Sequence, residues 1–144
     1  FTGILPPLNN SEWDNYFLFR WEMLRKPLGM SKDSLQDDRE ESSFHLIALD
    51  DHEKVVGSGR VHFNSNVEAQ IRYMAVSEDL KRRGIGSEIV KKLEEHAGKS
   101  GAKTVILNAR EEAINFYLSL DYLEGGPYTS DTGIPHTTMK KILS

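Results

Sequence analysis

Met74-Ala75-Val76-Ser77-Glu78-Asp79-Leu80-Lys81-Arg82-Arg83-Gly84-Ile85-Gly86-Ser87 is the stretch on which the fold turns. It leaves an apolar strand, crosses a short polar loop and enters a glycine turn. Beyond it Ile85, Ile89, Val90, Leu93 and Ala97 make one apolar stripe at helical spacing, stopped by Gly98 and Gly101. A turn that delivers a strand into a helix leaves the first backbone N–H groups unsatisfied, beside the positive end of the helix dipole. Anions bind there. Glycine at 84 and 86 removes side chains that would block a close approach, so the main chain of Arg82 through Ser87 can cradle a pyrophosphate. Lys81, Arg82 and Arg83 place positive charge on the same turn. No Gly-Lys-Ser/Thr ending follows, which disfavours a nucleotide triphosphatase; the missing third glycine and the late position disfavour a dinucleotide-binding fold.

Upstream, Trp13, Phe17, Trp21 and Leu24 recur near helical spacing from Ser11, taken as the N-cap, to Arg25, and Pro27 ends that helix. Residues 29–43 read as a loop or a short second helix. Phe44 to Leu49 reads as a strand, Asp50 to Lys54 as a hairpin turn, Val55 to Phe63 as a second strand, and Gln70 to Val76 as a third. Downstream of the stripe, Thr104 to Leu107 reads as a wholly apolar strand buried on both faces, and Ala113, Phe116, Tyr117 and Leu120 mark a second amphipathic helix. Strand, helix, strand, helix implies parallel pairing. Tyr122 onward returns to strand, Gly125 to Pro135 reads as loop, and His136 to Leu143 closes the sheet.

The chain has 144 residues, 38% apolar and 28% charged, which predicts one mixed α/β domain spanning 1–144. Zero cysteines exclude a disulfide scaffold, a thiolate zinc site and a cysteine nucleophile, and are compatible with a reducing cytoplasm, where the chain is expected. No apolar run approaches the ~18 residues of a membrane span, and the start, Phe1, lacks signal-peptide order. A net charge of −4 argues against nucleic acid as a partner despite the basic turn. Metal-ligand spacings such as H-E-x-x-H are missing, so no metal is expected. Residues 31–53 carry eight acids against two bases, which reads as a solvated face or as a wall attracting a cationic substrate.

The quoted stretch resembles the acetyl-CoA signature of the GNAT superfamily of N-acetyltransferases: Gln or Arg, two variable residues, Gly, a variable residue, then Gly or Ala. Lys81 stands in the first position and keeps the charge. Ala113-Ile114-Asn115-Phe116-Tyr117 with Leu120-Asp121-Tyr122 resembles the second signature, where members often have Gly-Phe for Asp121-Tyr122 and Asn for Arg110. Val56-Gly57-Ser58-Gly59-Arg60-Val61 and Gly133 to Met139 are similar to small bacterial members. The resemblance covers nearly all of the chain from Trp13.

It implies a GNAT fold: a mixed, mostly antiparallel sheet with a parallel strand pair splayed at the acetyl-CoA site, flanked by helices. It implies acetyl transfer from acetyl-CoA to a small-molecule amine, or a peptide amine, by direct attack in a ternary complex. The cofactor contacts it implies are Met74, Ala75, Val76, Lys81, Arg82, Arg83, Gly84, Ile85, Gly86, Ser87, Asn108, Arg110, Ala113 and Phe116. Main-chain N–H groups ending the third strand would hold the oxyanion, and Tyr117, a phenol protonated at neutral pH, would return a proton to the leaving thiolate. Gln70 and Arg72 face the acceptor and neither is a base; Glu68, His45, His136 or a water chain remain for that role. Arg60 and Arg72 either bind a carboxylate of the acceptor or pair with a local acid. The acceptor stays open, as does a homodimer. A CoA-binding module without catalysis is the alternative, favoured by Arg110 and by the missing base.

Overall fold

The computed structural model describes residues 3–130 and 132–143. Seven strands form one sheet: β1 (Gly3–Leu5), β2 (Phe44–Leu49), β3 (Val55–Phe63), β4 (Glu68–Val76), β5 (Thr104–Arg110), β6 (Leu123–Thr129) and β7 (Pro135–Ile142), in the order β1-β2-β3-β4-β5-β7-β6. Every pairing is antiparallel except β4 with β5. Those two are joined by α2 (Ile85–Lys99), the crossover that a parallel pair requires.

One long helix lies on each face. The five residues expected to form the stripe of α2 are its buried residues, packed with Leu46, Val61, Ile71, Val105, Leu107 and Met139. On the opposite face α1 (Asn10–Leu24) sets Tyr16 and Phe19 against Ile47, Leu49, Val55 and Ala75. Gly57 and Gly59 let α2 lie close on β3. A Cβ at 59 would meet Met74 Sδ at 2.6 Å and Ile89 Cγ2 at 2.8 Å, well inside contact distance.

Several expectations are corrected. The cap of α1 is Asn9, whose Oδ1 accepts from Glu12 N, two residues before the expected serine. Of the two readings of residues 29–43, the loop is the one found, with a 3-10 turn at Lys32–Leu35. β5 runs to Arg110 and buries Val105, Leu107 and Ala109 on one face only, because Asn108 and Arg110 on the other face open onto a cleft. The segment read as loop from Gly125 contains most of β6. Gly125, Gly126 and Pro127 are tolerated because β6 is an edge strand and its pairing slips between Glu124 and Pro127. The second downstream helix, α3, is short (Ile114–Leu118) and follows a 3-10 turn at Glu111–Ala113. No helix among the described residues is long and apolar enough to cross a membrane.

Candidate active site

The site begins with a defect in β4. Ser58 pairs with Ala75 but Arg60 pairs with Arg72, so β4 carries one residue more than β3 between the two pairs. This bulge holds Tyr73 at φ 58°. A one-residue slip exchanges the faces of a strand. Ala69 and Ile71 therefore point into the α2 core, whereas beyond the bulge Met74 and Val76 take that side and Ala75 joins the α1 cluster. The other edge of β4 parts from its neighbour. Pairing with β5 covers only Glu68, Ala69 and Gln70 against Thr104, Val105 and Ile106. From Arg72 to Val76 the edge of β4 that faces β5 has no strand beside it among the described residues, and a cleft opens between the two.

The cleft measures about 1240 Å³. Pockets for one small ligand run to roughly 1,000 Å³, so the space suits a large ligand with a smaller one beside it. At one end lies the glycine turn. Arg82 (φ 67°) and Gly84 (φ 84°) both take left-handed conformations, and Gly84 caps α2 without a side-chain bond, which leaves the N–H groups of the first turn toward the cleft. Gly86 lies under the Phe116 ring: a Cβ there would come within 3.2 Å of Phe116 Cζ. Lys81, Arg82, Gly84, Ile85, Gly86 and Ser87 line the cleft, as do Met74, Ala75, Val76, Asn108, Arg110, Ala113 and Phe116. Two members of the expected set differ. Arg83 is exposed outside the cleft, and the Ile85 side chain is buried in the α2 core, so only its main chain faces the opening. Lys81 Nζ is 2.8 Å from Glu78 Oε1.

Tyr117 lies on the cleft wall, 7% exposed, with its ring edge-on to Phe116 and Tyr122. Burial pushes its phenol well above the ordinary value, so the group is neutral throughout the physiological range. Among the described residues its hydroxyl has no hydrogen-bond partner.

On the α1 side Arg60 and two acids of the 31–53 stretch are already engaged with one another. The Arg60 guanidinium is fully buried and holds Asp37 Oδ1 at 2.7 Å, Asp37 Oδ2 at 2.9 Å and Glu40 Oε2 at 3.0 Å. Arg20, equally buried, holds Glu40 at 3.0 and 3.2 Å. Arg60 thus pairs with local acids and does not line the cleft, and two carboxylates of the acidic stretch serve arginines instead of a substrate. Burial alone would raise Asp37 and Glu40; the hydrogen bonds and charges of Arg60 and Arg20 outweigh it and hold both below their ordinary values. The guanidiniums of Arg20, Arg25, Arg60 and Arg72 gather at 3.9, 5.9, 4.9 and 4.8 Å from the centre of the Tyr73 ring.

Of the proposed acceptor residues, Gln70, Arg72 and His136 do line the cleft. His45 does not: its ring nitrogens bond Tyr16 Oη and the Glu40 carbonyl, and burial lowers its basicity. Glu68 sits in the paired part of β4, accepting from Asn64. His136 has Nδ1 2.7 Å from the Ile134 carbonyl, so in the neutral ring Nδ1 carries the hydrogen and Nε2 the lone pair. His62, unremarked in the sequence, also lines the cleft; burial and then the Arg60 charge push it down to about 4.

The chain matches the acetyltransferase (GNAT) domain family over residues 26–143. It is 31% identical over 134 residues to the uncharacterized N-acetyltransferase YjcF of Bacillus subtilis (strain 168), covering 92% of this chain and 94% of that protein. A GNAT-family acetyltransferase from Staphylococcus aureus Mu50 superposes with a TM-score of 0.82 at 15% identity over 99% of each chain. An aminoglycoside 6'-N-acetyltransferase complexed with coenzyme A gives 0.79 at 16% identity, covering 98% of this chain and 97% of that one. At such identities the structural likeness is one of fold.

Proposed function

Because the chain belongs to the GNAT acetyltransferase family and is an acyltransferase, we propose that residues 1–144 act as one unit that moves an acetyl group from acetyl-CoA to a primary amine, with both substrates bound together. The observation that carries this reading is the edge of β4 left unpaired among the described residues beside the glycine turn, with the Tyr117 hydroxyl, unpartnered among the same residues, on the same wall.

The residues present fit coenzyme A. The N–H groups opening α2 and the Arg82 charge suit its diphosphate. Gly86 leaves a hollow that a Cβ would fill, and the bare edge of β4 offers main-chain partners to an extended amide-bearing arm. Asn108 spends its Oδ1 on Thr138, which leaves its amide N–H groups to donate. When bound, acetyl-CoA supplies an activated thioester. The role of this chain is then to orient it, to place N–H groups of the Met74–Val76 segment at the oxygen that gains charge, and to handle two protons. The amine nitrogen bonds to the acetyl carbon as the carbon–sulfur bond breaks. His136 Nε2 takes the proton that the amine gives up, and Tyr117 donates to the departing sulfur.

Coenzyme A titration by calorimetry, followed by thiol release from acetyl-CoA with a panel of primary amines, tests this. Saturable heat and amine-dependent thiol release are expected. Heat without thiol release from any amine would leave a binding module, and no heat would remove the site.

A further inference from the structure

Two features of the acceptor wall face the cleft with hydrogens to give, and together they specify what the amine substrate carries. The first is a surplus of positive charge. Three guanidiniums, Arg20, Arg60 and Arg72, share two carboxylates. Glu40 gives both oxygens to Arg20 and shares one of them with Arg60, and Asp37 closes a two-pronged contact on Arg60. Arg72 receives what is left, one contact of 3.3 Å from NH1 to an Asp37 oxygen already bonded to Arg60. Its side chain is 36% exposed and lines the cleft. The rest of its fork is open to a ligand.

The second feature is a chain of hydrogen bonds with one direction. A guanidinium can only donate, so Arg60 NH2 donates to His62 Nδ1 across 3.0 Å, and this forces the hydrogen of the neutral His62 ring onto Nε2. His62 Nε2–H therefore donates to Asn64 Oδ1 at 3.1 Å, and Asn64 Nδ2 donates to Gln70 Oε1 at 3.0 Å. Gln70 Oε1 accepts from Asn64 behind it, which orients the amide so that its two N–H donors, with no partner among the described residues, face forward. Gln70 and Arg72 stand two apart on β4, on the same face. A guanidinium fork beside two amide hydrogens is a receptor for a compact oxyanion.

We infer that the acceptor is an amine that also bears an oxyanion, a carboxylate or a phosphate, gripped by Arg72 and Gln70, with His62 and Asn64 as positioning residues. This rests on the acyltransferase reading above. The acidic stretch at 31–53 does not recruit a cation at this wall, because Asp37 and Glu40 are consumed and the exposed pair Asp38 and Arg39 on the rim cancels.

The test compares kcat/KM for β-alanine with β-alaninamide and for phosphoethanolamine with ethanolamine, in the wild type, Arg72→Gln, Arg72→Lys and Gln70→Glu. Intrinsic amine basicity cancels when the anion-to-neutral ratio is compared between proteins. The wild type is expected to prefer at least one anionic partner, and Arg72→Gln to cut that ratio about tenfold or more, since charge-assisted bonds are the strong ones. Arg72→Lys, which keeps the charge without the fork, should fall between, and Gln70→Glu should invert the ratio. Which pair responds tells carboxylate from phosphate. Neutral and anionic amines used equally by the wild type, or a preference unchanged in Arg72→Gln and Gln70→Glu, would overturn the inference while leaving acetyl transfer standing. Thiol release with neither class, despite saturable coenzyme A binding, would remove the transfer reading and the inference with it.

Discussion

The Phe116 ring lies on Gly86, so close that a Cβ at 86 would sit 3.2 Å from Phe116 Cζ and 3.6 Å from Phe116 Cε1. The two sequence signatures, one opening α2 and the other forming α3, thus meet at a single contact. Gly84 serves differently. Apart from its chain neighbours, no described residue comes within 4 Å of where its Cβ would be, yet its φ of 84° is one that other residues adopt only under strain. Gly86→Val is therefore expected to push the Phe116 ring and weaken coenzyme A binding tenfold or more by calorimetry. Adding Phe116→Ala should recover part of that loss, because the clash has lost its partner. Gly84→Val should lose binding with no such rescue. Equal losses in Gly86→Val with and without Phe116→Ala would mean that Gly86 is needed for the ligand and not for the ring.

Tyr117→Phe should reduce kcat by roughly 10²- to 10⁴-fold, the usual worth of a positioned proton donor, with the coenzyme A dissociation constant changed less than about threefold. The hydroxyl has no hydrogen-bond partner among the described residues, so the melting temperature should stay within a degree or two. A variant with wild-type turnover would take the proton donor role away from Tyr117.

Much of the frame is legible in the residues. β2 and β3 are runs buried along almost their whole length and bounded by turn residues, the α2 stripe follows helical spacing, and the parallel pair follows from strand, helix, strand order. The bulge at Tyr73 is not legible: the burial of β4 alternates without a break from Glu68 to Val76, so the face exchange leaves no mark on the pattern. The ionic wall escapes for a similar reason. Arg20 lies among aromatic residues on α1 but its burial depends on Glu40, which arrives from an irregular segment 20 residues on. β1, three residues long, is too short for any periodicity, and the glycines of β6 imitate a loop because edge strands accept them.

Glu40→Ala is expected to destabilise the fold by about 3 kcal/mol, since it leaves Arg20, with no exposed surface, short of its carboxylate. For a chain of this size that lowers the melting temperature by on the order of 10 °C. Asp38→Ala, an exposed neighbour two residues away, should cost less than about 0.5 kcal/mol. Similar melting temperatures for the two variants would show that the buried pair contributes nothing beyond its exposed neighbour.

Stability should fall as pH drops from about 6.5 toward about 4. His62 titrates near its ordinary value when unfolded but is held at about 4 in the fold, by burial first and the Arg60 charge second. Between those values the unfolded chain binds the proton and the folded chain does not, so folding loses ground as acidity rises; above about 6.5 the contribution is complete. The gap corresponds to about 3 kcal/mol as an upper bound. His45, also lowered by burial, acts in the same direction. Urea unfolding at pH 7, 5.5 and 4.5 should show a shrinking midpoint, and His62→Gln should flatten that dependence, because glutamine offers both an acceptor and a donor without titrating. An equally steep dependence in His62→Gln would assign the acid sensitivity to other groups and leave the His62 ring outside the directional chain.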